Sequence, residues 1–172
     1  MPDSGAKIGL IAPNLPIALA GGTVRDVLIY PDPMLRECCA PSGYLCGLEL
    51  TRLAADLLAT MYNAGGRGLA APQIGVMRRV FVMDATWKDG VSDPVVMMDP
   101  EIMSASDAQV SMPEQCLSIP DHPVEVTRPD SIEIAWYDLR GLFHHQTLTG
   151  IAARIAQHEI DHLSGRLIVD FE

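Results

Sequence analysis

The stretch QHEIDH, residues 157–162, sets two imidazoles, His158 and His162, four residues apart, with the carboxyl group of Glu159 directly after the first. On a helix, residues four apart share one face a turn apart, so both rings can meet a single metal ion. Glu159 then stands beside that ion, where a carboxylate handles the proton of a water rather than ligating. The plainer account of the same residues is a helix whose histidines decorate a polar face, and the spacing alone does not exclude it. A hydrolytic metal site commonly takes three protein ligands and keeps one position open. Only ten residues follow His162, none of them His or Cys, and Asp170 and Glu172 lie close to the chain end, so a third ligand has to come from upstream. His122, His144 and His145 are available. Cys116, in PEQCLSIP, is the better candidate, a thiol in a polar, turn-like setting just after Glu114, although a lone Cys is also an ordinary small core residue.

Residues with such work to do need rigid elements beneath them. After Gly150, the run IAARIAQHEIDHL contains good helix formers and stops at Ser164-Gly165, so the histidines fall on a helix. Leu50, Leu53, Ala54, Leu57, Leu58 and Met61 recur at helical spacing ahead of Gly65-Gly66, which predicts a second, amphipathic helix over about residues 49–63. RRVFVMD (78–84), PVVMM (94–98) and SIEIAWYD (131–138) are rich in strand formers; in the last, Ile132, Ile134 and Trp136 alternate with Glu133, Ala135 and Tyr137. The expected class is α+β, with mainly antiparallel strands around a central helix that bears the HExxH pattern.

The chain's 172 residues suit one domain with a sizeable core. Twelve Lys and Arg against 22 Asp and Glu give a formal charge of −10, which opposes binding to phosphate backbones or an anionic membrane. Cys38, Cys39, Cys46 and Cys116 form no CxxC pair and no disulfide framework, consistent with a reducing compartment and a cytoplasmic location. The apolar run IGLIAPNLPIALA (8–20) is interrupted by Pro13, Asn14 and Pro16, and Asp3 weakens the positive region before it, which argues against a secretory leader or a membrane span.

Three ordered stretches, GRGLAAPQIG (66–75), EQCLS (114–118) and QHEIDH (157–162), together resemble the peptide deformylase family, and the likeness runs from about Val24 through YPDPMLR (30–36) to the end. The resemblance implies a single catalytic domain over residues 24–172 after an N-terminal extension of residues 1–23. It implies hydrolysis of the N-formyl group from the first methionine of a nascent chain, with release of formate. By the same resemblance Cys116, His158 and His162 bind a divalent metal, Fe2+ in most members, with Zn2+, Ni2+ or Co2+ as substitutes. Glu159 matches the general acid and base, and the Gln73 side chain and the Leu117 backbone N–H match the donors to the oxyanion. Glu114, Arg128 and Asp161 fall where the family orients its ligands, although Arg128 and Asp161 are equally the residue types of a solvated surface. Gly68, Ala70 and Ala71 would let a peptide backbone approach closely and lie alongside as an added strand.

Two residues depart from the family pattern. Gln115 replaces the Gly before the metal cysteine, and Arg67 replaces a small aliphatic residue between the two glycines of the first motif. With Gly68 they lie by similarity at the substrate groove, where they add bulk and a positive charge. Pro123 stands about where some relatives carry a substrate-contacting arginine. After GRLIVDFE there is no basic C-terminal helix of the kind that helps some relatives dock on ribosomes, so proximity to the ribosome is expected to be transient. Alternative readings are a paralogue acting on another small N-acyl amide, or a non-enzymatic member that binds metal or peptide. Glu159 beside an open metal position argues against the last.

Overall fold

The computed structural model describes residues 15–45 and 47–172; Cys46 and the first part of the interrupted apolar run lie outside the described residues. The first helix, α1, spans Gly47–Asn63 and places Leu53, Ala54, Leu57, Leu58 and Met61 inward, the stripe its spacing predicts. Each large aliphatic side chain so buried contributes roughly 1.5–3 kcal/mol. Preceding chain packs onto this helix: Leu15 and Leu19 reach its core, and the Thr23 N–H donates to Asp56. Gly22 crosses so near the Ala55 carbonyl that a Cβ there would overlap it.

Seven strands follow. They are β1 (Gly68–Ala70), β2 (Val80–Met83), β3 (Val95–Ala105), β4 (Gln109–Cys116), β5 (Ile119–Pro129), β6 (Ser131–Tyr137) and β7 (Phe143–Thr149). All pairings between them are antiparallel, and they form a five-stranded sheet in the order β1-β2-β3-β6-β7 with a separate β4-β5 hairpin. The second helix, α2 (Gly150–Leu163), carries the histidine motif. Because side chains alternate across a strand, β2 serves two cores: Val80 and Val82 pack with α1, Phe81 and Met83 with Ala153, Ala156 and Leu163 of α2. The large sheet therefore lies between the helices. Ile132, Ile134 and Trp136 of β6 join the α2 core, as their alternation predicts.

A third core sits between the β4-β5 hairpin and the C-terminal 3-10 turn Ile168–Phe171, built from Leu35, Cys116, Ile119, Val124, Val126, Leu167 and Ile168. The α+β class with antiparallel strands is as expected, with strands beyond those legible in the sequence: β1, the β4-β5 hairpin and β7. Pro113, Pro120, Pro123 and Pro129 fall within the hairpin strands and β4 is exposed from Gln109 to Pro113, so propensity does not mark them and only the short alternation of Val124, Val126 and Arg128 in β5 faces inward.

Candidate active site

Cys116 ends β4, Leu117 and Ser118 make the two-residue turn into β5, and His158, Glu159 and His162 project from α2. The Cys116 Sγ and one ring nitrogen from each histidine lie within 4.8 Å of one another. Cys116 and His162 are buried and His158 is half-buried; Cys116 Sγ stands 3.3 Å from His162 Nε2. His122 pairs with Glu172, His144 with Asp138 and His145 with Glu133, so the three other histidines are engaged elsewhere.

Around this cluster a polar scaffold is buried with its hydrogen bonds made. Glu114 accepts from His158 Nδ1 at 2.9 Å, from Arg128 Nε at 2.6 Å and from Arg154 Nη1 at 2.7 Å. Arg128 also donates to Asp161 at 2.8 Å, which ties a buried guanidinium to a partly exposed carboxylate rather than leaving two solvated charges. With its Nδ1 committed to Glu114, His158 is left its Nε2 for a ligand. Burial alone would raise the Glu114 carboxyl, but the His158 and Arg128 hydrogen bonds outweigh it and hold the group at about 2. For His158, burial acts downward and is overcome by its contacts with Cys116, Glu114 and Glu159, giving about 10. His162 is pushed well below its ordinary value by burial, then by the His158 and Arg128 charges. Glu159 is raised to about 7, chiefly because it is buried.

Gln73 sits in the 3-10 turn Ala71–Ile74 that follows β1. Its Oε1 accepts from the Ala70 N–H at 2.9 Å, which aims its amide group at Ser118 Oγ, 3.1 Å away, with Cys116 Sγ at 3.8 Å. The extended segment before residue 31 ties the two loops together, since the Leu28 N–H donates to the Gln73 carbonyl and the Tyr30 N–H to that of Ser118. Gly68 has a local reason to be glycine beyond substrate access: a Cβ there would run into the Glu159 carboxylate and the Ile155 side chain. Gln115 occupies a bulge in the hairpin register without a positive φ, so replacing the expected Gly introduces no backbone strain.

These groups open onto one cavity of about 400 Å³, lined on one side by Gly66, Arg67 and Gly68 and on the other by Met112 to Leu117 of the hairpin. Gln73, His158 and Glu159 line it too. Arg154 and Ser118 belong to the site and escape a reading of motifs. Arg154 could have been found, because it lies four residues before His158 on the same helix face. Nothing local in the sequence marks Ser118 as the partner of Gln73.

Similarity to known proteins agrees with this geometry. A family model described as polypeptide deformylase matches residues 24–171. A peptide deformylase of Rhizobium meliloti is 40% identical over 149 residues, covering 87% of this chain and 85% of that protein. A peptide deformylase of Alkalilimnicola ehrlichii is 44% identical over 148 residues, covering 86% and 82%. Among solved structures, the class I type b peptide deformylase of Acinetobacter baumannii with Met-Ala-Ser bound superposes with a TM-score of 0.81 at 32% identity, covering 88% of this chain and 99% of that one.

Proposed function

This chain belongs to the polypeptide deformylase family, and we infer that Glu159, Gln73 and Leu117 carry its reaction beside a divalent ion held by Cys116, His158 and His162. The protein is a hydrolase that removes the N-formyl group from the N-terminal methionine of nascent polypeptides, releasing formate. One observation carries the assignment of residues: a thiol and two imidazoles converge within 4.8 Å beside a buried carboxyl group in a peptide-sized cavity.

The family is one of metalloenzymes, and the residues present fit a metal. Sulfur and nitrogen donors of this kind suit first-row divalent ions, His162 turns its Nε2 to Cys116 Sγ, and among the described residues the buried Glu159 Oε2 beside them has no hydrogen-bond partner. We assign Fe2+ as the occupant, with Zn2+, Ni2+ or Co2+ able to use the same donors. Bound there, the ion supplies Lewis acidity, polarising the formyl carbonyl and making water more acidic.

Everything else falls to the chain. Glu159, a buried carboxyl group beside the three donors, takes a proton from the attacking water and delivers it to the departing amine. As the carbonyl oxygen becomes an oxyanion, the Gln73 side-chain amide and the Leu117 N–H donate to it; one such donor lowers a barrier by roughly 3 kcal/mol. Glu114, Arg128 and Asp161 hold the imidazoles in place. The peptide backbone of the substrate runs past Arg67, Gly68 and Gln115 along the free edge of β1.

Residues 24–172 constitute the catalytic domain in this reading, with residues 1–23 an extension. Nascent chains locate the work in the cytoplasm and briefly near the ribosome, and the charge of −10 disfavours direct contact with nucleic acid. No helix among the described residues is long and apolar enough to cross a membrane. The test is formate release by protein purified anaerobically with iron, from a formyl-Met peptide beside an acetyl-Met control. Formyl-selective release is expected. Equal hydrolysis of both would reassign the site to a general N-acyl amidase, and none from folded, metal-loaded protein would leave a binding role.

A further inference from the structure

One wall of the cavity carries charge that the reaction does not use. Arg67 and Lys88 both line it, Arg67 from the loop before β1 and Lys88 from the 3-10 turn Trp87–Asp89. The two segments are tied to each other and to the end of β2. The Arg67 carbonyl accepts from the Asp84 N–H at 2.9 Å, and the Trp87 indole donates to the Gly66 carbonyl at 2.8 Å while packing edge-on against Tyr62. Lys88 makes no ion pair among the described residues, and its ammonium lies 5.8 Å from the centre of the Trp87 ring. Arg67 reaches Asp89 only at 3.4 Å, and that carboxylate is 65% exposed, so the pair is loose and open to exchange. Arg67, Lys88 and Asp89 together leave one net positive charge at the rim.

The strand order makes β1 an edge of the large sheet, with β2 as its one strand neighbour. A substrate peptide laid along that free edge, with its formyl group at Glu159, extends its following residues past Gly66 and Arg67 toward Lys88. We propose, resting on the deformylase reading above, that Arg67 and Lys88 form a carboxylate-reading rim that favours peptides with an acidic side chain at one of the two positions after the formylmethionine. Lys88 is held below its ordinary value by burial first and by the Arg67 charge second, and an incoming carboxylate offsets both. Asp121, exposed on the hairpin wall, is the cavity's one carboxylate besides Glu114, which is spent in the buried network, and Glu159. The overall charge of −10 works against acidic peptides at a distance, but salt screens it beyond about 8 Å, leaving the two nearby cations to decide.

The test compares kcat/KM of the metal-loaded enzyme for C-terminally amidated formyl-Met-Asp-Ala, formyl-Met-Ala-Asp and formyl-Met-Lys-Ala. Calorimetric Kd values for the deformylated peptides Met-Asp-Ala and Met-Lys-Ala, also amidated, read the groove without turnover. The better acidic peptide should exceed the lysine peptide about tenfold, the scale of two partly exposed ion pairs gained rather than opposed. That ratio should shrink in 0.5 M salt (on the order of one Debye length of 4 Å) and collapse toward one in Arg67→Val and Lys88→Met proteins whose melting is unchanged. A free-acid formyl-Met-Ala that outruns its amide, with no side-chain effect, would overturn the side-chain proposal in favour of a terminal-carboxylate reader. Equal or greater turnover and affinity for the lysine peptides would overturn it outright. Should no formyl peptide be turned over, the deformylase reading fails, while the two Kd values still decide the rim.

Discussion

At the scale of single residues, Glu159 separates chemistry from metal binding. It is buried and raised to about 7, yet it is not one of the three clustered donors. Glu159→Ala should therefore keep its metal, as measured by elemental analysis, and lose about 10²–10⁴ in kcat, the usual contribution of a positioned acid-base group. Unchanged activity would remove the proton-transfer role from this residue. Gly68 gives an independent check on the same carboxylate, because a methyl group at this position must push Glu159 or Ile155 aside. Gly68→Ala should fold, with kcat reduced about tenfold or more, since a misplacement of about 1 Å can cost as much as a hundredfold. Much of the site was legible at this scale. Two imidazoles at helical spacing demanded a further ligand, and Cys116 is the donor that meets them. Ser118 was not legible as a functional residue, since it acts through Gln73, far away in the chain, whereas Arg154 stands one turn before His158 and only its partner, Glu114, was out of reach of local reading.

At the scale of elements, each half of the site stands on a different support. Helix α2 was readable from its helix-forming residues and stop signal, and α1 from its apolar periodicity. The hairpin that brings Cys116 to the histidines was not, because its order comes from long-range contacts. Its inward residues Glu114, Val124, Val126 and Arg128 are buried against α2 and the C-terminal turn. Arg128 binds that hairpin to the helix through Glu114 and Asp161, and its truncation would leave Glu114 with one guanidinium in place of two. Arg128→Ala should destabilise the fold by about 3 kcal/mol in urea unfolding, as expected when one partner of a buried charged set is removed. Lys at this position should recover only part of the loss, lacking the planar fork that meets both carboxylate oxygens. The β6-β7 turn offers a test by pH. Burial would raise the Asp138 carboxyl, but hydrogen bonds from His144, the Leu142 N–H and Arg140 outweigh it and lower the group below its ordinary value. A carboxyl lowered on folding stabilises above its unfolded value, and that contribution disappears as pH falls through the acid range. Asp138→Asn should thus unfold more easily by about 1 kcal/mol at pH 7, and the difference should close well below pH of about 3.9. A gap that persists undiminished in acid would mean that packing, not charge, holds this turn.

At the scale of the whole molecule, the donors come from parts with separate cores. Cys116 belongs to the core under the hairpin, whereas α2 packs its Ala153, Ala156 and Leu163 on the large sheet. An ion held by all three donors therefore couples the hairpin to the helix-sheet body, in addition to the Glu114 network that already joins them. A ligand that binds only the folded chain stabilises it by about 4.1 kcal/mol when present at roughly a thousand times its Kd. Metal-loaded protein should accordingly melt well above chelated protein. For a domain of this size, a few kcal/mol corresponds to several degrees, at about 2–4 °C per kcal/mol. Cys116→Ala should lose metal and, with it, most of that difference, because the two remaining imidazoles sit on one helix and no longer bridge the parts. Hydrogen exchange locates the effect: the amides of β4 and β5 should gain protection on metal loading, while those of β2, buried between the two helices, should change least. Equal gains throughout would show that the two parts already unfold as one unit without the ion. No gain in the hairpin would mean that Cys116 is not among its ligands.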